Sequence, residues 1–203
     1  GKVYADFRID EHVCDLSYNA DWPLYRALDF GFSNPTVCLW IQTDATDRAY
    51  VIDEYYQPLR TDEENAAAIL GRERAKGYAR VEASFADAAA AGSRAAFARY
   101  GIPTMADRRW PITAGLELVR RALKKRADGT PGLLVDRRCA NTVREFNSYR
   151  YADAIYDLRP GEGAAAGGSS VAVRASSEEP LSFDNHAMDA LRYFFVNWQG
   201  ARI

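Results

Sequence analysis

The chain has 203 residues, a mass of 22.7 kDa and a formal net charge of −2, so its length suits one well-filled core and is only generously enough for two. No stretch approaches the ~18 consecutive apolar residues of a membrane-spanning helix, and no basic-then-apolar leader opens the chain, which excludes a membrane protein. Three widely spaced cysteines without a CxxC pair (Cys14, Cys38 and Cys139) support neither a disulfide framework nor a structural zinc site, and they predict a reducing, intracellular environment.

The first predicted elements are three strands. The segments LYRALDF, TVCLWIQ and RAYVIDEYY are rich in β-branched and aromatic residues and are separated by the turn-forming GFSNP and TDATD. They predict an antiparallel three-stranded meander. Thr61 and Glu64 in TDEE form a predicted capping box that opens a helix through NAAAILGRERA.

Strands and helices alternate after this helix. The sequence predicts a strand in ARVEASFAD ending at Asp87, a helix ending at Gly101, a short strand in PTMAD, a helix in ITAGLELVRRALKKRA, a strand in GLLVD and a helix in CANTVREFNSY. Residues 159–180 are dominated by Gly, Ala, Ser and Glu and predict a mobile excursion, with a hairpin as one form. FDNHAMDALRYFFVNW predicts a last helix. This order indicates α/β architecture with a mixed sheet and helices on its faces.

The charge is distributed unevenly along the chain. Residues 1–65 carry five basic against thirteen acidic side chains, whereas residues 99–150 carry twelve basic against five acidic ones. A basic block is typical of nucleic-acid binding, but a solvated helix surface explains it as well. Charge alone leaves both interpretations open.

Three acidic positions stand out. Asp29 ends the first strand, and Asp87 ends the fourth, where α/β folds place their chemistry. Asp189 interrupts an apolar stretch of the last helix, three residues after His186. Carboxylates that converge would repel each other, and hard divalent cations with oxygen ligands relieve that repulsion. A turn residue for Asp29 and a helix cap for Asp184 remain the structural alternatives.

Several local strings carry a family resemblance. ALDFGFSNPTVCLW followed by VIDEYY, SFADAAAAGSRAAFARYGI, LLVDRRCANTVREFNSYRY and above all NHAMDALRY resemble the C-terminal nuclease domain of the large terminase subunit of tailed bacteriophages, a ribonuclease H-like nuclease. The leading GKVYADFRIDEHV resembles the segment that enters this domain from an ATPase domain. The resemblance and the start at Gly1 imply a lead-in segment over residues 1–22 and a nuclease domain over residues 23–203.

The resemblance also implies a set of functional residues. Asp29, Asp87 and Asp189 match the catalytic acids that hold two divalent ions, Mg²⁺ or Mn²⁺, with Asp184 as an additional candidate ligand. His186 matches the histidine of the last motif and is expected beside the ligands or on a phosphate, with an ordinary surface histidine as the alternative. The basic block gains candidates for backbone contacts to DNA: Arg108, Arg109, Arg120, Arg121, Lys124, Lys125, Arg137 and Arg138.

The implied function is a metal-dependent endonuclease that cuts concatemeric viral DNA during genome packaging. Its implied partners are double-stranded DNA, the ATPase domain of the same protein, the portal and the small terminase subunit, in the host cytoplasm during assembly and outside the mature virion. GxxxxGK[ST] is absent, so a P-loop ATPase is not expected within this chain.

Three alternatives remain open at the sequence level. A junction resolvase or transposase on the same fold would share the carboxylates. A non-catalytic packaging module would dock the portal or the small subunit without binding metal. The DFGFSNPT turn also resembles the phosphate loop of actin-like and sugar-kinase ATPases, although those proteins need a second such turn.

Overall fold

A mixed sheet of six strands forms the centre of the fold. The computed structural model describes residues 1–106, 110–156 and 173–200, and the sheet order is β1-β6-β4-β3-β2-β5. The predicted meander is present as β2 (Leu24–Asp29), β3 (Thr36–Thr43) and β4 (Ala49–Gln57), paired antiparallel. Successive residues of these strands face opposite sides, so each strand contributes to two cores.

The remaining strands of the sheet are parallel to their neighbours. Strand β5 (Val81–Phe85) pairs with β2, β6 (Leu133–Asp136) pairs with β4, and β1 (Val13–Cys14) pairs with β6. The carboxyl ends of β2, β4, β5 and β6 therefore point to one edge of the sheet, here called the site edge. The structure confirms the ribonuclease H-like mixed sheet.

Helices cover both faces of the sheet. On one face, α2 (Asp62–Lys76) and α3 (Ala91–Arg99) pack Ile69 and Phe97 against Leu28 and Trp40. The other face is covered by three helices, together with the four-residue α1 (Ile9–His12). These three are α4 (Ile112–Leu123), α5 (Ala140–Ser148) and α6 (His186–Gly200).

The start of α2 follows its predicted capping chemistry. The Thr61 hydroxyl accepts a hydrogen bond from the Glu64 backbone N–H at 3.2 Å, and the Glu64 carboxylate accepts from the Thr61 N–H at 2.9 Å. Gly77 ends the helix with φ 70°, a left-handed conformation that glycine adopts without steric cost.

The lead-in segment packs into the main core. Val3, Tyr4, Phe7 and Val13 are all less than 9% exposed, and they join the cluster that α4, α5 and α6 form on the sheet. The backbone N–H of Val3 donates to Tyr149 O at 2.9 Å, and that of Tyr151 donates to Gly1 O at 3.0 Å. These residues therefore contribute to the same core as the predicted nuclease domain.

Two predicted strand boundaries differ from the structure. Strand β5 ends at Phe85, and Asp87 lies in the following turn. The predicted PTMAD strand is a single bridge between Phe85 and Met105, because the Met105 N–H and C=O bond only to Ser84 and Ala86 before the chain turns away.

A second sheet flanks the predicted excursion. Strands β7 (Tyr151–Tyr156) and β8 (Val173–Pro180) pair antiparallel. The excursion predicted at residues 159–180 therefore ends in β8, and its residues 159–172 lie outside the described residues. No helix within the described ranges is long and apolar enough to cross a membrane.

Candidate active site at the site edge

Asp29 and His186 meet at the site edge. Asp29 is the last residue of β2 and pairs with Val37, and His186 is the first residue of α6. The two atoms His186 Nδ1 and Asp29 Oδ2 are 3.2 Å apart, and each side chain is only 14% exposed. A residue from the first predicted strand and one from the last predicted helix are thus in direct contact.

Asp189 lies one helical turn beyond His186. Its Oδ1 accepts a hydrogen bond from Arg192 Nη2 at 3.1 Å, and its Oδ2 accepts one from Asn185 Nδ2 at 3.2 Å. The Arg192 guanidinium lies 4.9 Å from the centre of the Tyr193 ring. The carboxylate of Asp189 is therefore held from both sides by residues of its own helical segment.

The third carboxylate of the acidic group is that of Asp87, which follows β5, the parallel neighbour of β2. Its Oδ1 accepts a hydrogen bond from the Ala89 N–H at 3.0 Å in the turn after β5. It lines a cleft of about 490 Å³ together with Trp110, Arg192 and Tyr193. Because β5 and β2 are parallel neighbours, the residues that follow them emerge at the same edge.

The electrostatics of these residues are coupled. The pKa of Asp29 is raised to about 6, mainly by burial and also by the negative charges of Asp189 and Asp87, against the opposing contact with His186. Burial also raises the pKa of Asp189, with Asp87 adding to the rise and Arg192 opposing it. The hydrogen bond to Asp29 raises the pKa of His186. Buried carboxylates with raised pKa values beside further acidic groups are a feature of functional sites.

The donor chemistry fits a hard divalent cation, although the carboxylates stand apart. Carboxylate oxygens are the ligands that Mg²⁺ and Mn²⁺ prefer, and a cation would offset both the burial and the repulsion by Asp189 and Asp87 that raise the Asp29 pKa. Within residues 1–106, 110–156 and 173–200, no group of three His, Cys, Asp or Glu side chains is close enough to hold one ion. Binding would therefore draw the carboxylates closer together.

The comparisons with known proteins agree with this arrangement. No protein-family model matches the chain. It is 26% identical over 202 residues to the large terminase subunit of Escherichia phage T5, a match that covers 95% of this chain and 41% of that subunit. The large terminase of the thermophilic bacteriophage D6E in complex with ADP matches with a TM-score of 0.71 and 24% identity, over 95% of this chain and 44% of that one.

A structure of a separate domain decides the assignment. The nuclease domain of the large terminase from bacteriophage SPP1, with bound Mn, matches with a TM-score of 0.59 and 18% identity, over 96% of this chain and 97% of that one. The chain has the fold of a large terminase nuclease domain. It spans less than half of the T5 and D6E proteins and nearly all of the SPP1 domain.

Asp184, the additional candidate ligand, lies just before α6 and is paired with an arginine. It lies two residues before α6 with a φ of 51°, a left-handed conformation that Asp adopts more readily than most residues. Its Oδ2 forms an ion pair with Arg144 Nη1. A ligand role for Asp184 stays a prediction, with one of its two carboxylate oxygens engaged by Arg144.

Glu145 is a buried carboxylate beside the start of α6 that the sequence analysis did not include among the candidate site residues. It faces the core from α5, and its side chain is fully buried. Burial raises the pKa of Glu145, whereas hydrogen bonds from Tyr56, Met188 and Ala187 lower it. A glutamate on the buried face of an amphipathic helix was the available signal, because such a residue needs a partner.

Within the described residues, the predicted DNA contacts separate into three groups. Arg108 and Arg109 lie outside the described residues. Arg120 is directed inwards: its Nε donates to Val3 O at 3.1 Å, and its guanidinium contacts Glu117 and the Tyr151 hydroxyl. Arg137 and Arg138 are exposed at the end of β6 and form ion pairs with Asp15 and Asp136. Arg120 therefore has a structural role in this fold.

The third group forms a basic cleft at the far end of α4. Arg121, Lys124 and Lys125 line a cavity of about 360 Å³ with Arg126, above Trp198. Lys125 Nζ is 3.0 Å from Glu11 Oε1, and Arg126 bonds to the Thr46 and Asp47 carbonyls. The helix α4 has twelve residues, so this basic cleft lies about 18 Å along the helix from the end of α4 near Trp110.

Proposed function

We propose that the chain is a metal-dependent endonuclease that cleaves concatemeric viral DNA during genome packaging. The observation that supports this most directly is the acidic group of Asp29, Asp87 and Asp189 at one edge of a terminase nuclease fold. The pKa values of Asp29 and Asp189, raised mainly by burial, support the binding of a cation by these carboxylates.

Two divalent ions, Mg²⁺ or Mn²⁺, are the cofactors that we propose. When bound, they supply a strong nucleophile from water at neutral pH and stabilise the charge that develops on the phosphodiester. The SPP1 nuclease domain with bound Mn supports this choice by analogy. Asp29, Asp87 and Asp189 would hold the ions, and Asp184, whose Oδ2 is paired with Arg144, is an additional candidate ligand.

The other residues of the site orient these ligands. His186 fixes the Asp29 carboxylate through its Nδ1, which limits the rotation of that side chain. Arg192 holds Asp189 through Oδ1 and carries a positive charge into the cleft beside Asp87. A phosphate group of the substrate would meet this guanidinium on entering the cleft.

The wider context is also part of the proposal. The substrate is double-stranded DNA, contacted at its phosphates by the basic cleft and by Arg137 and Arg138. The D6E complex with ADP supports an ATPase domain in the full-length protein, joined through residues 1–22 to a nuclease domain over residues 23–203. The portal and the small terminase subunit are the proposed assembly partners, in the host cytoplasm during assembly and outside the mature virion.

Nicking of supercoiled plasmid DNA tests the function. The wild-type chain is expected to nick with Mn²⁺ or Mg²⁺, to stop when the metal is chelated, and to lose activity in Asp29→Asn and Asp189→Asn. The matched control is Asp21→Asn, whose residue is exposed and precedes β2, at the opposite end of that strand from Asp29. Full activity in either site variant would falsify the assignment, and a marked preference for four-way junctions would favour a resolvase instead.

A further inference from the structure

The start of α6 has an unusual cap. The first N–H groups of an α-helix lack partners within the helix, and a side chain just before the helix commonly accepts from them. Asn185 immediately precedes α6, but its side-chain amide donates to Asp189 Oδ2 at 3.2 Å. The Asn185 amide thus holds a proposed metal ligand, while the N–H groups of Ala187 and Met188 are bound by a different side chain.

A carboxylate from another helix takes over the cap. Glu145 Oε2 accepts hydrogen bonds from the backbone N–H groups of Ala187 at 2.7 Å and Met188 at 3.2 Å. A negative charge at this end of a helix is favoured by the helix dipole. Ala187 and Met188 are the two residues between His186 and Asp189. Glu145 therefore binds the backbone segment that carries the side chains of His186 and Asp189.

The second oxygen of Glu145 is fixed as well. The Tyr56 hydroxyl, near the end of β4, donates to Glu145 Oε1 at 2.6 Å. The neighbouring Arg144 guanidinium lies 5.9 Å from the centre of the Tyr56 ring and pairs with Asp184. The carboxylate is fully buried, so both of its oxygens depend on these partners.

We infer that Glu145 is a positioning residue for the acidic group, acting through the backbone of α6, with Tyr56 fixing its orientation. The inference rests on the proposed function, because its consequence is the placement of His186 and Asp189 for metal binding. Glu145 does not reach the substrate. Its role is to set the rotation and height of the first turn of α6 relative to Asp29.

The variant Glu145→Gln keeps the side-chain shape and removes the charge. We expect its Mn²⁺ affinity and its kcat for plasmid nicking to fall about 10-fold or more, as for other groups that orient metal ligands, while the KM for DNA stays the same. Tyr56→Phe leaves both N–H contacts in place, so a smaller loss is expected. Mn²⁺ affinity is measured by calorimetry on the folded chain, independently of cleavage.

The matched control is Glu73→Gln. Glu73 is also a buried glutamate, but it lies on α2 against the opposite face of the sheet and bonds to Arg26 and Trp40. This variant is expected to lose stability and to keep the Mn²⁺ affinity of the wild type. Equal Mn²⁺ affinities for Glu145→Gln and the wild type would overturn the inference.

Hydrogen exchange separates this inference from the proposed function. Glu145→Gln should speed the exchange of the Ala187 and Met188 amides relative to the rest of α6, whether or not the protein cuts DNA. A wild-type chain that binds no Mn²⁺ and does not nick would refute the proposed function alone. Unchanged exchange at these two amides would refute the positioning role alone.

Discussion

A Cβ atom added at Gly115 would lie 2.6 Å from Cγ and 2.8 Å from Cδ of Arg192. Gly115 is buried in α4, so this helix can approach α6 only where it carries no side chain. The stem of Arg192 fills the space, and its Nη2 reaches Asp189. The absence of one methyl group in α4 therefore determines where a cationic partner of the acidic group lies.

Gly115→Ala is expected to displace Arg192 and to weaken nuclease activity. The overpacked contact should cost about 1–3 kcal/mol of unfolding free energy, and the loss of the Arg192 contact should lower Mn²⁺ affinity. Urea denaturation and calorimetry measure the two effects. Gly92→Ala is the control, because a Cβ atom added at Gly92 in α3 would meet no neighbouring atom within 4 Å, and there we expect a gain of up to about 1 kcal/mol. Identical behaviour of the two variants would contradict this account.

The ion pair of Arg26 and Glu73 is expected to stabilise the core between α2 and the sheet. Arg26 Nε and Nη2 lie 2.6 and 2.5 Å from the two Glu73 oxygens, and the side chains are 9% and 8% exposed. Removing one partner of a buried pair leaves an uncompensated charge, so Glu73→Gln should lower the unfolding free energy by about 3–5 kcal/mol.

Urea denaturation measures this loss, and the exposed pair of Arg80 and Glu82 provides its control. The side chains of Arg80 and Glu82 are 82% and 42% exposed. Glu82→Gln should therefore change the unfolding free energy by less than about 1 kcal/mol. A similar small change in Glu73→Gln would show that the buried pair adds no net stability.

The unfolding free energy of the metal-free protein is expected to fall as the pH rises towards the folded-state pKa of Asp29. The fold raises the pKa of Asp29 to about 6, so between the unfolded and folded pKa values the folded state binds more protons. The contribution is full below about pH 4, declines up to about pH 6 and is constant above it, with a total of about 3 kcal/mol. Asp29→Asn should remove this decline in denaturation curves at pH 4 to 7. A wild-type curve parallel to that of the variant would contradict the prediction.

The basic cleft is expected to contribute to DNA affinity and to leave the chemical step unchanged. Arg121 and Lys124 are exposed and lie at the carboxyl end of α4, about one helix length or about 18 Å from its start beside the Asp87 cleft. The double variant Arg121→Ala, Lys124→Ala should bind duplex DNA more weakly. The slope of its log affinity against log salt concentration should fall by the amount expected for the loss of about two phosphate contacts. Nicking at saturating DNA should be unchanged.

Salt titrations of fluorescently labelled duplex measure the affinity of the basic cleft. Arg99→Ala is a suitable control, because Arg99 is an exposed cation at the end of α3 on the opposite face of the sheet. An unchanged salt slope in the double variant would exclude the basic cleft as a DNA contact.

Local sequence signals were enough to predict most of the fold and the residue types of the acidic group. The meander follows from β-branched runs between turn formers, and α2 begins where Thr61 and Glu64 predict it. Asp29 and His186 are 157 positions apart in the chain, and their contact could be expected only from the family resemblance. Residues at the ends of regular elements were therefore predictable as candidates, whereas their distances were not.

The remaining features depend on tertiary packing. Strand β1 has two residues, too few for any periodic pattern, and it exists because Val13 pairs with Val135. The roles of Glu145 and Gly115 arise from how α5 and α4 approach α6, which no local propensity specifies. The ion pairs of Lys125 and Arg137 with the lead-in segment could not be predicted either, because they also depend on tertiary packing.

The backbone pairing of Gly1 and Val3 with Tyr151 and Tyr149 has a mechanical consequence. These hydrogen bonds join the first residues of the chain to the segment between α5 and β7. Tension applied to the backbone at residue 1 would reach that segment directly, and α5 carries the carboxylate that caps α6. A pulling force on the lead-in segment would thus pass to α5, and through the Glu145 contacts to the first turn of α6, which carries His186 and Asp189.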